Sequence, residues 1–154
     1  MEIVMSLPLI FDSNTNEILI HRIDALTPQS QRLWGTMTVA QVLKHLAVPY
    51  NDLINNKERK PKMRLLGRLI FKPIMTGEKP FKKNSPTAKQ FIITDEPEFE
   101  QVKEELKEKM LEIHGRGPDY FEGKEHFFLG RLKSREWSNM LYKHLDHHLR
   151  QFGV

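Results

Sequence analysis

The 154-residue chain contains no cysteine, which removes disulfide frameworks, thiolate zinc sites, CxxC redox centres and cysteine nucleophiles together. A transition metal bound to this sequence therefore needs His, Asp or Glu ligands. No apolar run approaches the roughly 20 residues that cross a bilayer as a helix, so a transmembrane protein is not expected. The opening stretch MEIVMSLPLIFDSN is acidic at Glu2 and broken by Pro8. It lacks the basic start, apolar stretch and small-residue cleavage site of a secretory leader, and a cytoplasmic location is expected. Strand-like alternation is almost missing, with only a hint at Phe91-Ile92-Ile93, and there is no internal repeat or low-complexity tract. What remains is a chain with 39% hydrophobic residues, long enough to bury one core without a metal staple. Any metal would then serve function rather than folding.

The net charge of +4 is unevenly placed. Between Lys57 and Lys83 ten Lys or Arg face two Glu, a balance of +8, which leaves −4 on the rest of the chain. In this segment Met63, Leu66, Leu69, Ile70 and Ile74 are interleaved with Arg64, Arg68 and Lys72, an amphipathic pattern. The favoured reading is that the apolar side caps the open end of the domain while the charges stay in water. An anionic ligand comes second, and no membrane contact is expected. No recognition-helix pattern or aromatic stacking array accompanies the charge, so nucleic acid is not expected as a partner.

Apolar residues at spacings of three and four mark four helices. The first follows Asp12 or Ser13 as N-cap and runs to about Leu26, with Leu19, Ile23 and Leu26 on one side. The second starts at Thr38 as N-cap and carries Val39, Val42, Leu43, Leu46, Tyr50, Leu53 and Ile54. The third has Pro97 in its first turn and runs to about Ile113, with Val102, Leu106, Met110 and Ile113 inward, before the string GRGP ends it. The fourth begins at Ser134 as N-cap with Trp137, Met140, Leu141, Leu145, Leu149 and Phe152. The link between the second and third is far longer than the roughly 2–8 residues that join antiparallel neighbours. It can cross the domain, so the expected fold is an all-α four-helix bundle, up-down-down-up, in one domain over 1–154, with a short extra helix near 62–74.

Counted from Trp137, the inward positions of the fourth helix include His144 and His148, one turn apart on one face. Two imidazoles inside an apolar stripe are costly to bury unless each finds a hydrogen-bond partner or both share a metal ion. His45, beside Val42 and Leu46 on the second helix, aims a third imidazole at the same interior. Three neutral histidines with coordination positions left open describe a reactive site rather than a closed structural one. His147 points about 100° away from His148 and is read as a surface residue. His21 and His114 are read as solvent-facing, and His126 as a loop residue, with a place at the mouth of a pocket the lesser alternative.

Three strings, WGTMTVAQVLKHL, HFFLGRLKSREW and YKHLDHHLRQFGV, occur together in this order. With them the chain resembles the DinB-like metalloenzyme superfamily, and within it a subgroup whose last helix ends in His-His-Leu-Arg-Gln-Phe-Gly. The resemblance implies a four-helix bundle in which His45, His144 and His148 bind one divalent ion, nickel or zinc. Gln151, three residues after His148, matches a glutamine common in that superfamily and supports His148 over His147. The subgroup has proline after its loop histidine, whereas Phe127 follows His126 here.

The resemblance further implies a metal-dependent enzyme acting on a small-molecule substrate. It would be either a thiol-dependent S-transferase using a low-molecular-weight thiol or a hydrolase, and a homodimer fits the same family. A non-catalytic bundle binding metal or a small ligand is the alternative. In every case the three histidines are ligands, and Gln41 and Asp52, on the same side of the second helix as His45, are the candidate partners behind them.

Overall fold

The structure is a computed structural model that describes residues 5–59 and 64–154. It is mostly helical. The long helices are α1 (Ser13–Asp24), α2 (Val39–Ile54), α5 (Phe99–Phe121) and α6 (Ser134–Gln151), and they fall where the apolar periodicity places them. The stripes named from sequence are what they bury: Leu19, Ile23 and Leu26; Val42, Leu43 and Leu46; Leu106, Met110 and Ile113; Leu141, Leu145 and Leu149. Each such side chain contributes about 1.5–3 kcal/mol on leaving water.

Hydrogen bonds between helix ends fix their relative directions. Thr38, just before α2, donates to Glu96, just before α5, at 2.9 Å, and Lys124 beyond α5 reaches Asn56 beyond α2 at 3.2 Å. These two helices therefore lie side by side in the same direction, as the long link between them implies. At the opposite ends of α1, Ser13 meets His114 at 3.4 Å and Asp24 meets Lys107 at 2.8 Å, so α1 opposes α5. Ile10 donates to Ser138 at 3.0 Å and Arg22 pairs with Asp146 at 2.8 Å, which aligns α1 with α6. Leu33, ahead of α2, donates to the Gln151 carbonyl at the end of α6 at 2.7 Å, so these two helices are opposed.

Local chemistry sets the helix ends. Asp12 caps α1 by accepting from Thr15, and Thr38 forms a capping box with Gln41 at the start of α2. α5 begins two residues beyond Pro97, with the Glu98 carboxylate accepting from the Glu100 and Gln101 amides. Its regular geometry breaks at Gly117, where φ is 71°, as the GRGP string implies, before one more turn reaches Phe121. Ser134 is the first helical residue of α6 rather than its cap. Glu122 accepts from the Ser134 amide at 2.9 Å and Glu136 from the Lys133 amide at 2.8 Å, so two carboxylates supply what the hydroxyl was expected to. Pro49 lies inside α2 and has no N–H to give to the His45 carbonyl. A two-residue hairpin, β1 (Glu125–His126) with β2 (Gly130–Arg131), joins α5 to α6.

The extra helix expected near 62–74 is present as a continuous helical stretch over 64–76, while residues 60–63 lie outside the described ones. It consists of α3 (Arg64–Leu66), a π-helical turn (Gly67–Phe71) and α4 (Lys72–Thr76). Its orientation corrects the expectation that its apolar side caps the domain. Leu65, Leu69 and Ile74 are 72%, 68% and 57% exposed, whereas Gly67 and Thr76 are buried. Close backbone approach is the reason: a Cβ at Gly67 would lie 2.5 Å from the Phe128 carbonyl oxygen, so the segment seats through its smallest residue.

Candidate metal centre

α2 and α6 bring three imidazoles together. The His45 and His144 Nε2 atoms are 2.9 Å apart, and the ring centroids are 4.8 Å (His45 to His144), 4.9 Å (His45 to His148) and 5.1 Å (His144 to His148) apart. One ring nitrogen from each lies within 4.8 Å of the others. His45 and His148 are buried and His144 is half-buried.

Backbone carbonyls decide where the ring protons sit. A carbonyl can only accept, so His45 carries its proton on Nδ1, donated to the Phe91 oxygen at 3.1 Å. The Trp34 carbonyl accepts from Gln151 Nε2 at 2.8 Å, which turns Gln151 Oε1 toward His148. His148 Nδ1 then donates to that oxygen at 2.7 Å. Both rings are left with a lone pair on Nε2 directed into the cluster. His144 Nε2 donates its proton to His45 Nε2, and must pass that proton to Nδ1 before Nε2 can act as the ligand atom.

The electrostatics hold all three rings neutral. Burial lowers the pKa of His45 against the smaller opposing pull of the Phe91 carbonyl. Burial, then the neighbouring His45, His148 and His147, push His144 well below the ordinary range. Burial takes His148 down to about 4, with Gln151 pulling the other way. Neutral imidazole is the form that binds metal. A tetrahedral ion with metal–nitrogen bonds of about 2.0–2.1 Å holds its ligands about 3.4 Å apart, which the rings reach by small shifts. Three uncharged nitrogen donors suit zinc, nickel, copper or iron and fit a hard oxygen-seeking ion poorly.

A family model described as a protein of unknown function (DUF1569) matches residues 9–153. The chain belongs to that family. No curated protein and no solved structure matches it.

The other residues named from sequence in this DUF1569 chain lie elsewhere. Gln41 is not behind His45: its side chain serves the capping box with Thr38 and donates to the Asp95 carbonyl at 3.1 Å. Asp52 accepts two bonds from Arg59, at 2.5 and 3.1 Å. His147, read as a surface residue, is half-buried between Trp34 and Phe81, with centroids 5.7 and 6.0 Å away, because the link after α4 folds over that edge of α6. His114 is likewise half-buried and meets Ser13, whereas His21 is exposed as expected. His126 uses Nδ1 to accept the Phe128 and Leu129 amides at 3.1 Å each, which locks the hairpin, and burial lowers its pKa to about 4.

The groups missed are backbone atoms and one lysine. The Phe91 and Trp34 carbonyls set the ring protons but leave no trace in a side-chain pattern. Lys143, beside His144, is 4% exposed and donates to the Ile74, Met75 and Gly77 carbonyls at 2.7, 3.3 and 2.8 Å. It satisfies the C-terminal carbonyls of α4 and ties the crossover to the helix that carries two of the three histidines.

Proposed function

We propose that this chain is a DinB-like four-helix bundle, up-down-down-up, with one divalent ion on His45, His144 and His148, nickel or zinc being the ions the resemblance implies. The observation that carries the reading is the convergence of three neutral imidazoles, two of them fixed by carbonyl-led hydrogen bonds with a lone pair turned inward. The end-to-end hydrogen bonds among α1, α2, α5 and α6 support the bundle topology.

A divalent ion with open positions lowers the pKa of bound water or thiol and polarises a carbonyl or leaving group, the chemistry shared by hydrolases and thiol-dependent S-transferases. A cytoplasmic enzyme acting on a small molecule, with a low-molecular-weight thiol as co-substrate and a homodimer as its assembly, is the function that follows from this reading. The chain's own contribution is to keep the three rings neutral and to fix two ring protons outward. The three histidines act as ligands only, since a ligating nitrogen has no lone pair left for proton transfer.

A second reading, a bundle that binds metal or a small ligand without turnover, is favoured by one feature. A groove of about 240 Å³ is lined by Pro28, Arg32, Thr38, Glu96, Phe99 and Phe152 among others, and none of the three histidines lines it.

Elemental analysis of untagged protein tests the centre. Wild type and His147→Ala are expected to carry about one ion per chain and His144→Ala none. Wild-type protein that stays metal-free after incubation with zinc and with nickel would refute the metal reading. A loaded protein inert in thiol-transfer and amide-hydrolysis screens would favour the binding reading.

A further inference from the structure

Five of the twelve large hydrophobic side chains exposed among the described residues fall within one short stretch: Leu65, Leu69, Ile70, Phe71 and Ile74. Leu65, Leu69 and Ile74 form the outer crest of the 64–76 helix, with Ile70 and Phe71 on its flanks, the Phe71 ring 5.6 Å from that of Phe128. The π-helical turn at Gly67–Phe71 widens the spiral, so the five-residue step from Leu69 to Ile74 keeps both on one face, below Leu65. The opposite side is occupied by the buried Gly67 and Thr76 and by the carbonyls held on Lys143 and Asn139, so the apolar face cannot turn inward without breaking that attachment.

The segment that carries this face is basic. The interval from Lys57 to Lys83 carries a balance of +8 in a chain whose remainder is −4, and Arg68, Lys79, Lys82 and Lys83 are all exposed. An apolar ridge within a basic segment is the composition of helices that lie in the plane of an anionic membrane. The other occupants fit less well. A second copy docked by the same patch on a twofold axis would bring two basic segments together. Nucleic acid would leave five apolar side chains facing phosphates. A protein partner calls for a groove or a complementary ridge, whereas exposures of 72% and 68% describe a convex crest that a yielding surface accepts.

We infer that the 64–76 helix docks this protein on an anionic lipid bilayer, with Leu65, Leu69, Ile70, Phe71 and Ile74 entering the headgroup region and the flanking Lys and Arg on the lipid charge. The expectation of no membrane contact assumed that the apolar side is used up against the domain, and its exposure removes that reason. The inference does not depend on the metal reading.

Co-sedimentation with vesicles tests it, using phosphatidylcholine alone and phosphatidylcholine mixed with phosphatidylserine, at low and high salt. The full chain is compared with the double variant Leu69→Glu, Ile74→Glu, both exposed positions, after circular dichroism melting has shown an unchanged fold. Wild type is expected to pellet with the anionic vesicles, to stay in solution with phosphatidylcholine, and to be released by salt. The variant is expected to partition at least about tenfold less. Equal partitioning of the two would reduce the contact to charge alone and overturn the inference, as would no pelleting at low salt. A wild-type dimer in sedimentation velocity that the same variant abolishes, without vesicle binding, would assign the crest to a second copy instead.

Discussion

Trp34 gives the candidate centre only its carbonyl oxygen, yet that oxygen sets the orientation of an amide and, through it, the proton on His148. Gln151 is the middle of this chain of bonds, and Gln151→Leu would leave both a buried ring N–H and a buried carbonyl without partners. A loss of about 1–3 kcal/mol in unfolding free energy is expected, together with a 10–100-fold weaker hold on zinc or nickel. Urea denaturation and a chelator competition assay measure the two separately. Gly35→Ala reaches the same amide from the other side: φ there is +79° and a Cβ would sit 2.4 Å from Gln151 Nε2, so it should weaken metal binding in the same direction. A variant with unchanged affinity would show that His148 is oriented by something else. At this scale the sequence was informative for side chains and silent for main chain. His45, His144 and His148 stood out because imidazoles interrupt apolar stripes. The Phe91 oxygen could not stand out, since a carbonyl's role depends on where a crossover of irregular structure happens to pass.

Among the elements, the four long helices were legible because each buries a stripe at spacings of three and four, and a stripe of that kind has one way to pack. The same logic misplaced the crossover. Its pattern is amphipathic, but a close backbone approach at Gly67 and a buried lysine decide which side faces in, and both depend on residues far away in the chain. Lys143 was overlooked for the same reason: its position on α6 is buried only because α4 ends against it. Burial lowers its pKa to about 8, and the three carbonyls of Ile74, Met75 and Gly77 compensate the buried ammonium. Lys143→Met would leave those acceptors unpaired at a cost of about 1–3 kcal/mol. It should also speed trypsin cleavage after Lys82 and Lys83, because the crossover loses its fastening to α6. Unchanged cleavage kinetics in the variant would mean that the aromatic contacts of Phe81 hold the link without the lysine.

For the molecule as a whole, several buried histidines have one consequence for acid stability. His45, His126, His144 and His148 all have lowered pKa values, with His126 and His148 at about 4, whereas an unfolded chain titrates near 6.5. Between those limits the unfolded state takes up protons that the folded state refuses. The stability of metal-free protein is therefore full above about pH 6.5 and is lost as the pH falls toward 4. His126→Asn keeps an acceptor for the Phe128 and Leu129 amides and cannot titrate. At pH 5 it should recover about 2 kcal/mol of the loss relative to pH 7, read from urea midpoints at the two values. Parallel pH curves for variant and wild type would exclude His126 from the effect.

The His45 and His144 rings that touch across the centre are 99 residues apart in sequence. Contacts that distant form late, because the chain must close a long loop before they repay the entropy. Completing the cluster thus requires α2 to dock on α6: before that docking, an ion would find the His144 and His148 pair of α6 without His45. The three rings are neighbours only through the tertiary fold, and no local stretch of the chain holds all of them.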